Sequence, residues 1–288
     1  MPIDPGFLDE LDRFEASLNQ QSTAIKQGEQ ESPSVGEGLT FSDYRRYSPG
    51  DDTRLIDWRL YARTEEFFIK QFEEERNLTV HILLDASASM DFGDGDGDEH
   101  KFEFGAKLGL GYAYLTAEEH DDFQFSLFRD RTERIDTGKS TRGEVLALVD
   151  RLNETTPDGT ADFRTALEEY AAAIRSRSLV IVITDCIGDL DGLETGLASL
   201  ARNEVVLVQP LSPDELDPSV GGDTIFEDLE SDLTRRTYFG GRLAERYRSR
   251  VDAFVDDVSD RTQDLGITHE LVATDEDFFD AFSSVWIG

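Results

Sequence analysis

The sequence predicts an α/β protein in which an open, mostly parallel β-sheet carries helices on both faces, with a small β-rich appendage. Three observations lead to this prediction. Strand-like apolar runs alternate with helical patterns over most of the chain. Most of these runs are apolar almost throughout, which is typical of parallel strands that are covered on both faces. A segment at 38–78, rich in aromatic residues and arginine, stands outside the alternation.

The strands are predicted from runs that are rich in β-branched and aromatic residues. These runs are "TVHILLD" (79–85), "FQFSLFR" (123–129), "LVIVITD" (179–185), "EVVLVQP" (204–210) and "THELVA" (268–273). In addition, "ERIDTG" (133–138) fits a short antiparallel strand that returns along 123–129. Parallel strands of this kind are joined by right-handed helical crossovers, so the expected sheet is Rossmann-like.

The helices are predicted from apolar residues that recur every three to four positions. The predicted helices cover about 4–27, 100–119, 142–152, 162–177, 190–202, 241–265 and 276–284. We divide the chain into an N-terminal helix and linker (1–37), the β-rich appendage (38–78) and the sheet domain (79–288). Within the sheet domain, "GGDTIFEDLESDLTRRTYFGG" (221–241) interrupts the alternation and fits a β-hairpin insertion. We expect 40–76 and 223–239 to pair in one small β-subdomain.

The charge balance is extreme. The 288 residues include 28 lysines and arginines against 62 aspartates and glutamates, a formal charge of −34. Such a surface repels itself, and molar salt relieves the repulsion by shortening the Debye length to about 3 Å. The composition therefore predicts a halophilic protein. It also argues against nucleic acids and anionic membranes as partners.

Cysteine, histidine and the N-terminus exclude further classes of protein. The single cysteine, Cys186, permits no internal disulfide, and the four histidines show no zinc-site spacing. The first residues, "MPIDPGFLDE", lack the basic and apolar regions of a signal peptide. No apolar run approaches the roughly 20 residues of a membrane helix. We therefore expect a cytoplasmic protein without a membrane span.

Oxygen-bearing side chains follow the predicted strands. Asp85, Ser87 and Ser89 come at the end of one strand and Asp185 at the end of another, while Thr160 precedes a helix. Ligands of open α/β sheets bind at the carboxyl ends of the strands, so we expect these side chains to converge. Oxygen donors without nitrogen or sulfur suit Mg²⁺, Mn²⁺ or Ca²⁺. The alternative is a set of ordinary capping residues.

The acidic run Asp91–Glu99 also resembles a cation site at first sight. An EF-hand loop that started at Asp94 would need glycine at its sixth position and glutamate at its twelfth. Those positions hold Glu99 and Gly105, so the pattern fails. We interpret the run as a flexible acidic insertion. His81, which lies within a strand, is interpreted as a core histidine and not as a ligand.

Two resemblances sharpen the site prediction. "DASAS", Gly159–Thr160 and Thr184–Asp185 resemble the metal-ion-dependent adhesion site of von Willebrand factor A domains. That resemblance implies that Ser87, Ser89 and Thr160 bind Mg²⁺ directly, and that Asp85 and Asp185 help directly or through water. The upstream stretch "DYRRYSPGDDTRLIDWRLYARTEEFFIKQFEEERNLTVHILLDASASM" resembles the signature of the family named domain of unknown function fifty-eight. The resemblance covers about 36–285.

The second resemblance carries a functional expectation. It implies a von Willebrand factor A-like domain at 79–288 that acts with a MoxR-type AAA+ ATPase in the assembly or maturation of other complexes. We therefore expect a metal-dependent protein-binding module that recognises an acidic residue of its partner, and no catalytic residues. Two alternatives remain at this point: a hydrolase that uses the same carboxylates, and a scaffold without metal.

Overall fold

The computed structural model describes residues 3–14, 16, 39–47, 56–64, 66–74, 79–93, 100–217, 222–227 and 234–287. The chain forms two compact units. One, here called the sheet unit, comprises Met1–Asn19 and Leu78–Gly288; the other, here called the signature unit, comprises Gln20–Asn77. Each is described by itself.

The elements alternate along the chain much as the periodicity predicts. The helices are α1 (residues 7–14), α2 (Trp58–Thr64), α3 (Lys101–Glu118), α4 (Arg142–Glu154), α5 (Phe163–Ala173), α6 (Leu190–Leu200), α7 (Pro213–Leu216), α8 (Gly241–Asp264) and α9 (Phe278–Ile287). The strands are β1 (Leu39–Arg46), β2 (Phe68–Glu74), β3 (Thr79–Asp85), β4 (Asp122–Phe128), β5 (Thr132–Arg134), β6 (Leu179–Ile183), β7 (Glu204–Leu211), β8 (Gly222–Glu227), β9 (Thr234–Phe239) and β10 (Thr268–Ala273).

The sheet unit is built on a six-stranded open sheet with the order β10-β7-β6-β3-β4-β5. All neighbouring strands are parallel except β5, which pairs antiparallel with the end of β4. The predicted mostly parallel sheet and its short returning strand are therefore confirmed. Ile82, Leu83 and Leu84, which point to alternate faces of β3, are all fully buried, as a central strand requires.

The order of the strands reverses at β3. From there the chain proceeds outward through β4 and β5, then returns to the other side of β3 and proceeds outward through β6, β7 and β10. The crossovers on either side of such a reversal leave in opposite directions, which opens a crevice at the carboxyl ends of the two strands. In this sheet, the crevice lies beyond Asp85 of β3 and Ile183 of β6.

Helices cover both faces of the sheet, as predicted. On one face α1, α3, α4 and α9 contribute to one apolar cluster, whose members include Leu11, Phe104, Leu148 and Phe282. On the other face α5, α6 and α8 contribute to a second cluster. Ile3 and Phe7 are also buried in the first cluster, so the N-terminal segment packs into the core of the sheet unit.

Helix α3 approaches the sheet closely because it lacks side chains at the points of contact. A Cβ atom at Gly109 would lie 2.7 Å from the ring of Phe125, and one at Gly105 would lie 3.0 Å from Leu84. Both distances are shorter than normal van der Waals contact, so a larger residue would require the helix or the contacted side chains to shift. The close approach holds the first turn of α3, which begins at Lys101, beside the crevice.

The two hairpins form separate sheets. β1 pairs antiparallel with β2 within the signature unit, and β8 pairs antiparallel with β9 within the sheet unit. The expectation that 40–76 and 223–239 share one β-subdomain is therefore wrong for these strands. Each strand pairs with the one that follows it in its own segment, and local pairing requires less loop-closure entropy than pairing across the chain.

Some predictions fall outside the described residues. These are the N-terminal helix beyond residue 16, most of the acidic run (94–99) and the turn of the 221–241 hairpin (228–233). Among the helices that the structure describes, none combines the length and the apolar character needed to span a membrane.

Candidate functional site

Two aspartates at adjacent strand ends form the base of the site. Asp85 closes β3, and its Oδ1 accepts a hydrogen bond of 2.8 Å from the backbone N–H of Ser87. Asp185 follows β6, and its Oδ1 accepts one of 2.9 Å from the N–H of Ile187. Each side chain thus bonds to the backbone two residues ahead, which fixes a tight turn and the direction of the carboxylate. Both aspartates are fully buried.

Two serine hydroxyls connect these turns. The Oγ atoms of Ser87 and Ser89 lie 3.2 Å apart, within hydrogen-bonding distance. Ser89 Oγ in turn donates a hydrogen bond of 3.2 Å to Asp185 Oδ1. Four of the five predicted ligands, Asp85, Ser87, Ser89 and Asp185, therefore lie in one continuous polar group at the crevice.

The fifth predicted ligand, Thr160, is exposed. Its loop nevertheless lies against the turn that follows β3, because Ala88 N–H donates to the carbonyl of Gly159 at 2.9 Å. The N–H of Asp158 donates to the carbonyl of Ala86 at 3.0 Å. Thr160 therefore follows directly after a loop that is hydrogen-bonded to the Ser87–Ser89 turn.

Thr184 supports both aspartates. Its hydroxyl donates a hydrogen bond of 2.6 Å to Asp85 Oδ2 and accepts one of 3.1 Å from the N–H of Cys186. Cys186 has a φ of +62°, in the left-handed region, so the chain turns sharply immediately after Asp185. Burial raises the pKa of the Cys186 thiol well above its ordinary value, so this sulfur stays protonated.

A buried lysine completes the site. The side chain of Lys101 is fully buried, and its ammonium lies 2.7 Å from both Asp185 Oδ2 and Glu215 Oε1. Burial alone would lower the pKa of Lys101, but the two carboxylates outweigh burial and raise it above its usual value. The ring of Phe92 lies 5.6 Å from the ammonium. Lys101 is therefore a permanent positive charge within the site.

Glu215 is held in place by its own helix cap. Ser212 Oγ accepts a hydrogen bond from the N–H of Glu215, and Glu215 Oε2 accepts one from the N–H of Ser212. This reciprocal pair is a capping box at the start of α7. The other oxygen of Glu215 binds Lys101, so the lysine joins the first turn of α3 to the end of β6 and to α7.

The charges of the group do not balance. Asp85, Asp185 and Glu215 supply three carboxylates, whereas Lys101 supplies the one ammonium bonded to this group among the described residues. Burial and the neighbouring Asp185 raise the pKa of Asp85, although the hydrogen bonds from Ser87 and Thr184 act in the opposite direction. The Asp85 carboxyl therefore favours a state in which a proton or another cation neutralises it.

The oxygen donors at the crevice suit a hard divalent cation on the side of Asp85 but not on the side of Asp185. No group of three or more histidine, cysteine, aspartate or glutamate side chains in the described part of the chain has a metal-binding arrangement. The oxygens at the crevice come instead from two carboxylates and two hydroxyls, which suit Mg²⁺, Mn²⁺ or Ca²⁺. Asp85 is bonded to the neutral donors Ser87 and Thr184, whereas Asp185 already binds an ammonium.

An apolar cleft of about 250 Å³ lies next to Asp185. Its lining includes Ile187, Leu211, Val251 and Phe254. Ile187, whose N–H binds Asp185, is 38% exposed, which is high for a large apolar side chain. The cleft thus continues the surface of the site along α8.

The sequence predictions missed Lys101 and Glu215, and they named Thr184 only as part of the Thr184–Asp185 motif. Two signals were present. A lysine in the first turn of a helix opposes the helix dipole, which indicates that another interaction holds it there. The "SPDE" run at 212–215 is a readable capping box. His81, by contrast, is a buried core histidine as predicted, and its Nδ1 lies 2.8 Å from the hydroxyl of Tyr170.

Comparison with known protein families identifies the family of this chain. The family model described as protein of unknown function DUF58 matches residues 43–254. The chain belongs to this family. An uncharacterized protein of Mycobacterium tuberculosis is 23% identical to it over 276 residues, which cover 96% of this chain and 87% of that protein.

Two solved structures are similar in part. The conserved hypothetical protein BatB of Bacteroides thetaiotaomicron matches 73% of this chain and 100% of its own, at 15% identity and a TM-score of 0.44. An aerotolerance-related membrane protein of Bacteroides fragilis matches 73% of this chain and 97% of its own, at 14% identity and a TM-score of 0.45.

Proposed function

We propose that this protein is a divalent-metal-dependent protein-binding module. Ser87, Ser89 and Thr160 would hold Mg²⁺, or Mn²⁺ or Ca²⁺, together with the carboxylates of Asp85 and Asp185. The observation that carries this proposal is the buried polar group at the crevice, in which oxygen donors from two strand ends meet and Lys101 pairs with Asp185 and Glu215 but not with Asp85. A divalent ion would neutralise the remaining charge, which is costly to bury.

The donor set also defines what the site would recognise. Hydroxyl ligands are neutral, so an ion that they hold keeps part of its positive charge and attracts an anionic group. Thr160 is exposed, and it marks the side from which a carboxylate of a partner protein would approach. The neighbouring apolar cleft supports a protein partner, because protein interfaces combine polar contacts with apolar ones.

Lys101 and Cys186 are poorly suited to a catalytic role. A general base must be deprotonated near neutral pH so that it can accept a proton. The carboxylates of Asp185 and Glu215 instead raise the pKa of Lys101, so this lysine stays protonated. The thiol of Cys186 stays protonated because it is buried. Neither group would therefore act as a base or a nucleophile, so the hydrolase alternative would depend on the carboxylates of Asp85 and Asp185.

The proposed partner is an AAA+ ATPase of the MoxR type, with which the protein would assist the assembly or maturation of other complexes. This partner rests on the family resemblance. The charge of −34 supports action in a cytoplasm of high salt. Under this proposal the melting temperature rises from dilute buffer to molar KCl, and equal melting temperatures would contradict it.

The experiment mixes the purified protein with a purified MoxR-type ATPase from the same organism in molar KCl. Because the ATPase itself uses Mg²⁺ with its nucleotide, variants give a clearer result than EDTA alone. Asp85→Ala should abolish Mg²⁺-dependent binding in a pull-down. The matched control is Asp122→Ala, since Asp122 is an exposed aspartate at the first residue of β4, on the opposite edge of the sheet from the crevice. If binding survives both Asp85→Ala and EDTA, the proposal is wrong.

A further inference from the structure

Lys101 occupies an unfavourable position for a lysine. Its side chain is fully buried, whereas lysines are almost never buried unless they are paired. It also begins α3, where the positive end of the helix dipole opposes a cation. The two hydrogen bonds of 2.7 Å to Asp185 and Glu215 must offset both effects. The ammonium is therefore bound in the site as a ligand would be.

We infer that Lys101 is a resident cation of the site, which occupies Asp185 and thereby weakens the binding of a divalent ion. The inference rests on the metal site proposed above and concerns the affinity of that site. It assigns the two aspartates different roles. Asp85, with Ser87 and Ser89, forms the side that is available to a divalent ion, whereas Asp185 serves an internal ion pair.

The hydrogen bonds of the two carboxylates support this division. Asp185 Oδ2 binds the ammonium, and its Oδ1 accepts from Ser89 and Ile187, so both oxygens are engaged. Both oxygens of Asp85 also accept hydrogen bonds, but its donors among the described residues are neutral: the N–H of Ser87 and the hydroxyl of Thr184. In a buried site, where charges are poorly screened, an ammonium on one carboxylate repels a divalent ion that approaches the same group.

Metal affinity separates this role from a merely structural ion pair. If the ammonium and the divalent ion compete, a neutral residue at position 101 strengthens metal binding. If Lys101 only holds α3 and α7 together, its removal weakens the fold and leaves metal affinity unchanged or lower. Methionine is a suitable replacement because it fills a similar apolar volume without a charge.

The experiment measures Mg²⁺ binding by isothermal titration calorimetry in molar KCl, which screens nonspecific binding to the acidic surface. Lys101→Met should bind one Mg²⁺ at least about tenfold more tightly than the parent protein. Lys101→Arg, which retains the charge, should keep the parent affinity. Lys101→Met combined with Asp85→Ala should lose the added affinity, because the tighter binding depends on the crevice.

Thermal unfolding gives a second measurement. In EDTA, Lys101→Met should melt below the parent because Asp185 and Glu215 lose their shared cation. Mg²⁺ should raise its melting temperature more than that of the parent. If Lys101→Met does not fold without metal, the double variant Lys101→Met, Glu215→Gln replaces it, since that variant leaves only one of the two carboxylates unpaired.

The outcomes distinguish this inference from the proposed function. Equal Mg²⁺ affinities of the parent and Lys101→Met would overturn the inference and leave the metal site standing. Tight binding by Lys101→Met with none by the parent would support the inference and contradict a metal-dependent function for the natural protein. If neither binds Mg²⁺, both are overturned.

Discussion

Asp85 and Asp185 are the same residue type in nearly the same setting, yet their partners differ. Both follow adjacent parallel strands, both are fully buried, and both accept a hydrogen bond from the backbone two residues ahead. Asp185 is paired with the ammonium of Lys101, whereas Asp85 is bonded to neutral donors. The difference shows that the backbone sets where a carboxylate points, while more distant residues decide which cation it binds.

The largest expected difference between the two aspartates is in how much each contributes to the stability of the metal-free protein. Asp185→Asn breaks a buried ion pair and leaves Lys101 with Glu215 alone, so we expect a loss of about 3–5 kcal/mol in the free energy of unfolding. Asp85→Asn should cost less than about 1 kcal/mol, because burial already favours the neutral form of that carboxyl. Urea unfolding in molar KCl with EDTA measures both. Similar losses for the two variants would refute the comparison.

The pH of this measurement matters because of His81. Burial lowers the pKa of this histidine from 6.5 to about 4. Between these values the histidine binds a proton in the unfolded chain but not in the folded chain, so the contribution of His81 to stability falls as the pH is lowered from 6.5 to 4. The loss should reach about 3 kcal/mol, and His81→Gln should remove it. Stability curves of parent and variant that stay parallel over this range would contradict the assignment.

Metal binding should separate the two carboxylates in a third way. At an Mg²⁺ concentration about 100 times the dissociation constant, the parent should gain about 2.7 kcal/mol in the free energy of unfolding. Asp85→Asn should gain nothing, because the side of the crevice that is open to the ion has lost its carboxylate. The control variant Asp122→Asn should gain as much as the parent. Unfolding curves with Mg²⁺ and with EDTA provide the measurement, and an undiminished gain in Asp85→Asn would count against the site.

A smaller effect than loss of the ion pair is expected for the hydroxyl donor of Asp85. Thr184→Val removes the hydroxyl that donates to Asp85 and accepts from Cys186, and it should cost about 1–2 kcal/mol. Thr116→Val is the matched control, since that buried hydroxyl in α3 donates only to the carbonyl of Tyr112. The unfolding free energies of the two variants test whether the carboxylate makes the difference. Equal losses would mean that it does not.

Much of the fold could be predicted from local patterns. The apolar runs of β3 and β6 identified two central strands, and the rule that sites form at carboxyl ends brought Asp85 and Asp185 together. Ser87 and Ser89 followed from their spacing within one turn. These features depend on residues that are neighbours in the chain, where periodicity and turn chemistry are readable.

Lys101 could not be found in this way. It lies 84 positions from Asp185 and 114 from Glu215, so no spacing links the three residues. Its contact with them depends on how closely α3 packs on the sheet, which is a tertiary property. The pairing of the hairpins was mispredicted for a related reason, because the sequence shows that a strand exists but not which strand lies beside it.

The site also depends on the glycines of α3, although these residues do not form it. A methyl group at Gly109 would lie 2.7 Å from the ring of Phe125, so Gly109→Ala would require either that ring or α3 to shift. Helices move as rigid bodies, and Lys101 lies about two turns before Gly109 on the same axis. If α3 shifts, the ammonium of Lys101 moves relative to Asp185 although no residue at the crevice has changed. Position 109 can therefore affect the ion pair of Lys101 although it lies outside the site.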